Sequence, residues 1–146
     1  MVRAETVAAA ALTTIIVALG LVGLVSGTIL RHAVQVTPIL VASLVVMLRP
    51  GLGRYAAFAI FSFWFFIMVL IWLYLLGLAR VVTGQFSAAE IALTMVVGFA
   101  CLVGFPAAAR MTSRIAWWAG LAGFAMFGAL QVGAMWLSLQ PAFATR

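Results

Sequence analysis

Residues 28–38 read Thr28-Ile29-Leu30-Arg31-His32-Ala33-Val34-Gln35-Val36-Thr37-Pro38, and this stretch decides how many helices the chain forms. It gathers several polar side chains in a sequence that is otherwise strongly apolar. It also holds the single histidine of the chain. The point at which the first helix ends determines whether these polar residues form a turn or belong to a second helix.

The composition of the chain indicates a membrane protein. Of its 146 residues, 68% are hydrophobic and 7% are charged, and the mean hydropathy is +1.32. Soluble proteins average roughly 45–50% apolar and about 25% charged residues. The apolar residues stand in continuous runs of about 20 rather than in alternating segments of about 10, which predicts helices instead of a barrel. We therefore expect an all-α, polytopic transmembrane helical bundle.

The apolar runs predict five spans in a single integral membrane domain covering residues 1–146. The predicted spans are residues 7–26, 28–48, 55–79, 88–109 and 116–139. Ser26 and Gly27 are expected to end the first span, and a proline with two glycines predicts a loop over residues 49–54. The alternative is four spans, in which the first helix continues to Leu30 and leaves only residues 33–48, which are short for a crossing.

Three further patterns lie in the later spans. The third span is rich in aromatic residues, which we expect to face lipid and the membrane interfaces, and Arg80 is expected to close it. Ser87 and Glu90 form a capping-box pattern that predicts the start of the fourth span. Gln131, inside the last span, predicts a hydrogen bond to another helix.

The net charge of +6 comes from eight arginines set against Glu5 and Glu90. The arginines stand singly or in close pairs at the ends of apolar runs, which indicates membrane anchors and predicts no nucleic-acid partner. Cytoplasmic flanks are enriched in arginine, so the richer face should be cytoplasmic. In five spans this predicts a cytoplasmic N-terminus and an external C-terminus in a bacterial-type inner or plasma membrane. The cytoplasmic face then carries Arg3, Arg49, Arg54, Arg110 and Arg114, and the other carries Arg31, Arg80 and Arg146.

The candidate site is a polar patch on the predicted second helix. Thr28, Arg31, His32 and Gln35 are three or four residues apart, so a helix places them on one face. Pro38 lacks an amide hydrogen and predicts a kink beside this patch. Glu90 lies in the first turn of the fourth span, which begins at the same membrane surface as this patch. We therefore predict an ion pair between Glu90 and Arg31. In the alternative interpretation Arg31 and His32 extend to the lipid headgroups, and Glu90 only caps its helix.

The chemistry of these residues points to binding rather than catalysis. One histidine, Glu90 and the isolated Cys101 supply too few ligands for a metal site, so none is predicted. The sequence contains no GxSxG, HExxH or glycine-rich phosphate-loop motif, so we assign no catalytic residue and do not expect an enzyme. No cofactor is predicted, although haem or quinone remains an alternative.

The sequence favours a small non-catalytic integral membrane subunit that packs into a homo-oligomer or a larger membrane complex. Small residues support this hypothesis, because they let helices approach closely: Gly23 and Gly27 in the first span, and Ala125, Ala129 and Gly133 in the last. One alternative is a small transporter or channel with a polar site at Arg31, His32, Gln35 and Glu90. A second is a haem- or quinone-associated subunit of a membrane redox complex. The expected partners are the lipid bilayer and other membrane subunits.

Overall fold

The computed structural model describes residues 3–82 and 84–144, which form helices and no strands. The helices are α1 (Ala4–Val25), α2 (Ile29–Leu48), α3 (Pro50–Leu75), α4 (Ala88–Arg110), α5 (Trp117–Ser138) and the short α6 (Pro141–Ala144). The first five are long and apolar enough to cross a membrane. The prediction of an all-α bundle with five spans rather than four is therefore confirmed.

Helices α1 to α4 form a closed ring. In this ring α1 packs against α2 and α4, and α3 packs against the same two helices, while α5 packs against α2 and α3. Successive helices run in opposite directions. One end of the bundle, the α1–α2 end, therefore holds the ends of α1, α3 and α5 and the starts of α2 and α4. The opposite end, the α2–α3 end, holds the remaining helix termini.

Helix α1 stops at the predicted place because Gly27 takes a left-handed conformation with φ of 69°. The amides of Gly27 and Thr28 donate back to the carbonyls of Leu24 and Gly23 at 3.3 and 2.8 Å, the pattern of a Schellman cap. Gly23 lies against the next helix, since a Cβ placed on it would be 3.0 Å from the Cβ of His32. The polar stretch therefore belongs to α2, and Gly23 closes a hairpin within the chain.

The predicted loop over residues 49–54 is wrong, because Arg49 alone separates α2 from α3. Pro50 is the first residue of α3. Proline is favoured there because the amide at this position makes no hydrogen bond within the helix. A Cβ on Gly53 would lie 2.5 Å from the Cα of Val46. This glycine therefore allows two helices to touch and does not provide a flexible turn.

The third span ends earlier than predicted, at Leu75 instead of close to Arg80. Gly77, with φ of 73°, takes the left-handed conformation, and the amide of Leu78 donates to the carbonyl of Leu73 at 2.8 Å. Residues 76–82 and 84–87 form an irregular segment. There the predicted capping box is confirmed: Ser87 Oγ accepts from the Glu90 amide, and Glu90 Oε2 accepts from the Ser87 amide at 2.7 Å.

The aromatic residues of α3 divide between the surface and the interior. Phe66 is exposed, as expected for a side chain that faces lipid. Phe61 and Trp64 are buried, and the ring of Phe61 fills the space beside Gly104 on α4. The expectation that the aromatic residues face lipid is thus wrong for these two. For Phe61 the reason is that glycine on the neighbouring helix leaves room for a large ring.

Candidate functional site

A cavity of about 600 Å³ lies at the α1–α2 end of the bundle. All five long helices contribute to its wall or rim, and the loop between α3 and α4 covers part of it. The residues that the sequence marks, Thr28, Arg31, His32, Gln35 and Glu90, all line this cavity. The structure thus brings the five residues together. That they bind a ligand stays a prediction.

Thr28 and His32 form a small hydrogen-bonded group at the start of α2. The Nδ1 atom of His32 lies 3.0 Å from the backbone carbonyl oxygen of Thr28 and 3.1 Å from the Oγ1 atom of Thr28. The hydroxyls of Ser26 and Thr28 are hydrogen-bonded to each other. In the neutral ring, donation from Nδ1 to the carbonyl leaves Nε2 as an acceptor. The ring is therefore held by its own helix, and Nε2 is the nitrogen left for other contacts.

Gln35 links α2 to α5 at the inner part of the cavity. Its side chain is 3% exposed, and Nε2 donates to Ser138 Oγ at 2.8 Å. Its backbone carbonyl accepts from Nε2 of Gln131 at 3.1 Å, which confirms the interhelical bond predicted for Gln131. This carbonyl follows that of Val34, whose intrahelical partner is missing at Pro38. Helix α2 continues through Pro38, and the predicted kink stays a prediction.

Arg31 and Glu90 stand on different walls of the same cavity. Glu90 Oε2 accepts from the Ser87 hydroxyl at 2.7 Å, in addition to its bond in the capping box. Arg31 is half-buried, and its Nε atom is buried without a hydrogen-bond partner among the described residues. The direct pairing of Arg31 with Glu90 stays a prediction.

Two lining residues were not identified from the sequence. Trp64 is 2% exposed, and its Nε1 atom has no hydrogen-bond partner in the part of the chain that the structure describes. Nothing distinguishes it from the other aromatic residues of α3 in the sequence. Thr94 Oγ1 accepts from Trp72 Nε1 at 3.2 Å. Thr94 follows Glu90 by four residues, and this helical spacing was a signal that could have identified it.

The cavity is closed on its inner side. Each helix of the ring has one pocket-lining residue that lies deepest in the bundle. The residue one turn further towards the α2–α3 end is 0% exposed on each of these helices. These side chains form a layer between the cavity and the α2–α3 end, called the floor layer: Ile15, Ile39, Ile60 and Cys101. The cavity is therefore a blind pocket, closed towards the α2–α3 end.

The pocket offers hydrogen bonds and charges, set in an apolar wall. Within residues 3–82 and 84–144, His, Cys, Asp and Glu side chains form no group of three that could hold a metal ion. No protein family model, curated protein or solved structure matches the chain.

Proposed function

We propose that the chain is an integral membrane protein that reversibly binds a small ligand in the blind pocket. A single observation carries the proposal. Five polar residues from two separate parts of the sequence line one pocket of about 600 Å³, a size typical of small-molecule sites. Polar and ionisable groups are costly at membrane depth, so a cluster of them is usually functional. This geometry favours the binding alternative over a subunit whose only role is packing.

The pocket should open outside the cell. Five of the eight arginines flank the helices at the α2–α3 end, and cytoplasmic flanks are the ones enriched in arginine. The α1–α2 end is then external, in a bacterial-type inner or plasma membrane. The floor layer argues against an open channel, because its four side chains are fully buried. Transport would require a second conformation in which this layer separates.

The proposal can be tested by filling the pocket. Val97 lines the pocket and is 1% exposed, whereas its neighbour Val96 is 43% exposed and lines a separate, more open groove between α1 and α4. We expect Val97→Phe to displace a ligand and Val96→Phe to leave it bound. Native mass spectrometry of protein taken from its own membrane in mild detergent measures the retained small molecule.

The expected result is a retained molecule in the wild type and in Val96→Phe, and its loss in Val97→Phe. If Val97→Phe does not fold, a second pair of variants replaces the first. This pair is Val22→Phe in the pocket wall and Leu21→Phe on the exposed surface. A wild type without a retained molecule, or the same molecule in all variants, would contradict the proposal.

A second candidate function is the non-catalytic subunit that assembles with a copy of itself. Ala125, Ala129 and Gly133 of α5 are all exposed, and a Cβ on Gly133 would meet nothing within 4 Å. Small residues on an exposed face favour close contact with another helix in a membrane. We expect Ala129→Trp to convert an oligomer to a monomer in nanodiscs. Leu102→Trp, at an exposed position of α4, is the control and should leave the oligomer intact. A monomeric wild type would exclude this candidate.

A further inference from the structure

We propose that the pocket takes a neutral amphiphile that carries carbonyl oxygens on an apolar body. Membrane quinones and diacylglycerols share this chemistry. The inference rests on the proposed function and narrows it to a class of ligand. Four features support it: two unpaired donors, their positions along the bundle, the balance of charge and the composition of the wall.

Two lining residues carry buried N–H groups that no acceptor in the described part of the chain satisfies. They are Arg31 at Nε and Trp64 at Nε1. A buried donor without an acceptor is costly, so these groups call for a ligand or water that accepts hydrogen bonds. Of the other inner polar groups, Gln35 Nε2 donates to Ser138 and His32 Nδ1 is bonded to Thr28, which leaves His32 Nε2 for other contacts. The wall therefore needs acceptor oxygens for its two unpaired donors and, in the neutral ring, offers one acceptor at His32 Nε2.

The two donors lie at similar depths in the bundle. At 1.5 Å per residue, Trp64 lies about 22 Å and Arg31 about 27 Å along their helices from the connection at Arg49. Their heights along the bundle thus differ by only about 5 Å. One ligand whose polar group lies at this depth can therefore present an acceptor oxygen to each donor.

The charges on the wall favour a neutral ligand. Arg31 lines the pocket from α2 and Glu90 from α4, so one positive and one negative group face the same space. An anion attracted by Arg31 would be opposed by Glu90, and a cation would experience the reverse. His32 is the only other titratable group among the lining residues. The pocket therefore has no strong preference for either sign of charge.

The rest of the wall suits an apolar body. Its side chains include the aromatic rings of Trp64 and Phe86 and the flexible sulfur-containing chains of Met68 and Met135. Aromatic and methionine side chains pack well against flat or irregular apolar groups. An amphiphile can thus place its carbonyl oxygens at the two donors and its apolar part against this surface.

The test compares four probes with the wild-type protein in nanodiscs, with empty nanodiscs subtracted. Decylubiquinone and dioctanoylglycerol carry neutral carbonyl groups, decyl phosphate carries an anionic headgroup, and decylbenzene has no acceptor. Isothermal titration calorimetry measures the affinity of each. We expect binding of one or both carbonyl probes, with decyl phosphate and decylbenzene at least about tenfold weaker. The relative affinities of the two carbonyl probes distinguish a quinone from a glyceride.

Trp64→Phe removes one donor and keeps an aromatic ring in the wall. We expect it to weaken the carbonyl probe about 5-fold to 10-fold, whereas Trp136→Phe, at a residue 65% exposed and outside the pocket, leaves the affinity unchanged. Arg31→Met should produce a similar loss through the second donor. Circular dichroism and gel filtration verify that each variant is folded.

The outcomes separate this inference from the proposed function. Preferred binding of decyl phosphate or decylbenzene, or an unchanged affinity in both Trp64→Phe and Arg31→Met, would overturn the ligand class while the binding function stands. Binding of no probe would also overturn it if the wild type retains another molecule that Val97→Phe loses. If the wild type binds no probe and retains no molecule, the donors are satisfied by water, and both proposals fail.

Discussion

The two ends of the bundle are built from similarly apolar helices, but they differ in how the helices meet. At the α2–α3 end, glycines let neighbours come into direct contact: Gly53 lies against the backbone of Val46, and Gly120 lies against the ring of Tyr55. At the α1–α2 end, Gly23 also lets α1 touch α2, but the positions that face the interior carry Arg31, His32 and Glu90 around a pocket of about 600 Å³.

We infer from this difference that side-chain size and polarity at a few facing positions decide whether the helices of a membrane bundle pack closely or enclose a cavity. Small residues allow helices to touch, and contact supplies the packing that holds helices together in lipid. Charged side chains need partners or water, and at the other end they line a cavity.

The same substitution at the two ends should have very different costs. Val46 and Val97 are both buried, but Val46 packs beside Gly53 and Val97 lines the pocket. We expect Val46→Phe to lower the free energy of unfolding by about 3 kcal/mol through overpacking, and Val97→Phe by less than about 1 kcal/mol. Reversible unfolding in mixed micelles measures both values. Equal losses would mean that the two ends are equally packed.

The contact at Gly53 should be intolerant of a single methyl group. A Cβ there meets the backbone of Val46, which cannot rotate away as a side chain can. We expect Gly53→Ala to cost about 2 kcal/mol of stability in the same unfolding assay. Gly128→Ala is the matched control: a Cβ there meets nothing within 4 Å, so alanine should add up to about 1 kcal/mol. Matching responses at the two glycines would refute the tight contact.

The cap of α4 should contribute a moderate amount at the hollow end. Ser87→Ala removes the hydroxyl that accepts from the Glu90 amide, and we expect a loss of about 1 kcal/mol. Thr13→Ala is the control, because the Thr13 hydroxyl bonds only to the carbonyl of Ala9 in its own helix. Thermal unfolding followed by circular dichroism measures both. A loss in Thr13→Ala as large as in Ser87→Ala would show that the cap is not specific.

The smallest effect is expected at the link between Gln35 and α5. Gln35→Leu removes the bond to Ser138 Oγ but leaves the backbone carbonyl available to Gln131. Hydrogen bonds between helices in a membrane average about 0.6 kcal/mol, so we expect a loss of that order. Unfolding in mixed micelles provides the value. A loss above about 2 kcal/mol would mean that this bond, rather than apolar packing, holds α5 in place.

The sequence was sufficient for the features that depend on local chemistry. Continuous apolar runs predicted the five helices, Gly27 predicted the end of α1, and Ser87 with Glu90 predicted the start of α4. These features follow from hydrogen bonds and backbone angles within a few residues. The grouping of Thr28, Arg31, His32 and Gln35 on one face followed equally from helical spacing.

Features that depend on contacts between distant residues could not be predicted. The glycines near Pro50 resemble turn residues, and only the position of Val46 reveals that Gly53 serves a helix contact. Trp64 resembles its aromatic neighbours, and its role in the pocket depends on residues of α2 and α4. The early end of α3 at Leu75, just before the left-handed Gly77, was not predicted because Arg80 is a suitable boundary residue a few positions later.

Chemical accessibility provides the most direct test of a pocket that is hollow and open to the outside. A cysteine is placed at His32, in the pocket, or at Val41, on the exposed face of α2, after Cys101→Ala has removed the native thiol. A charged methanethiosulfonate reagent is then added outside sealed, right-side-out vesicles. We expect rapid modification of His32→Cys. We expect no modification of Val41→Cys, because lipid excludes the reagent from the exposed face of α2. Failure to modify His32→Cys, or modification only from the cytoplasmic side, would contradict a pocket that is open to the outside.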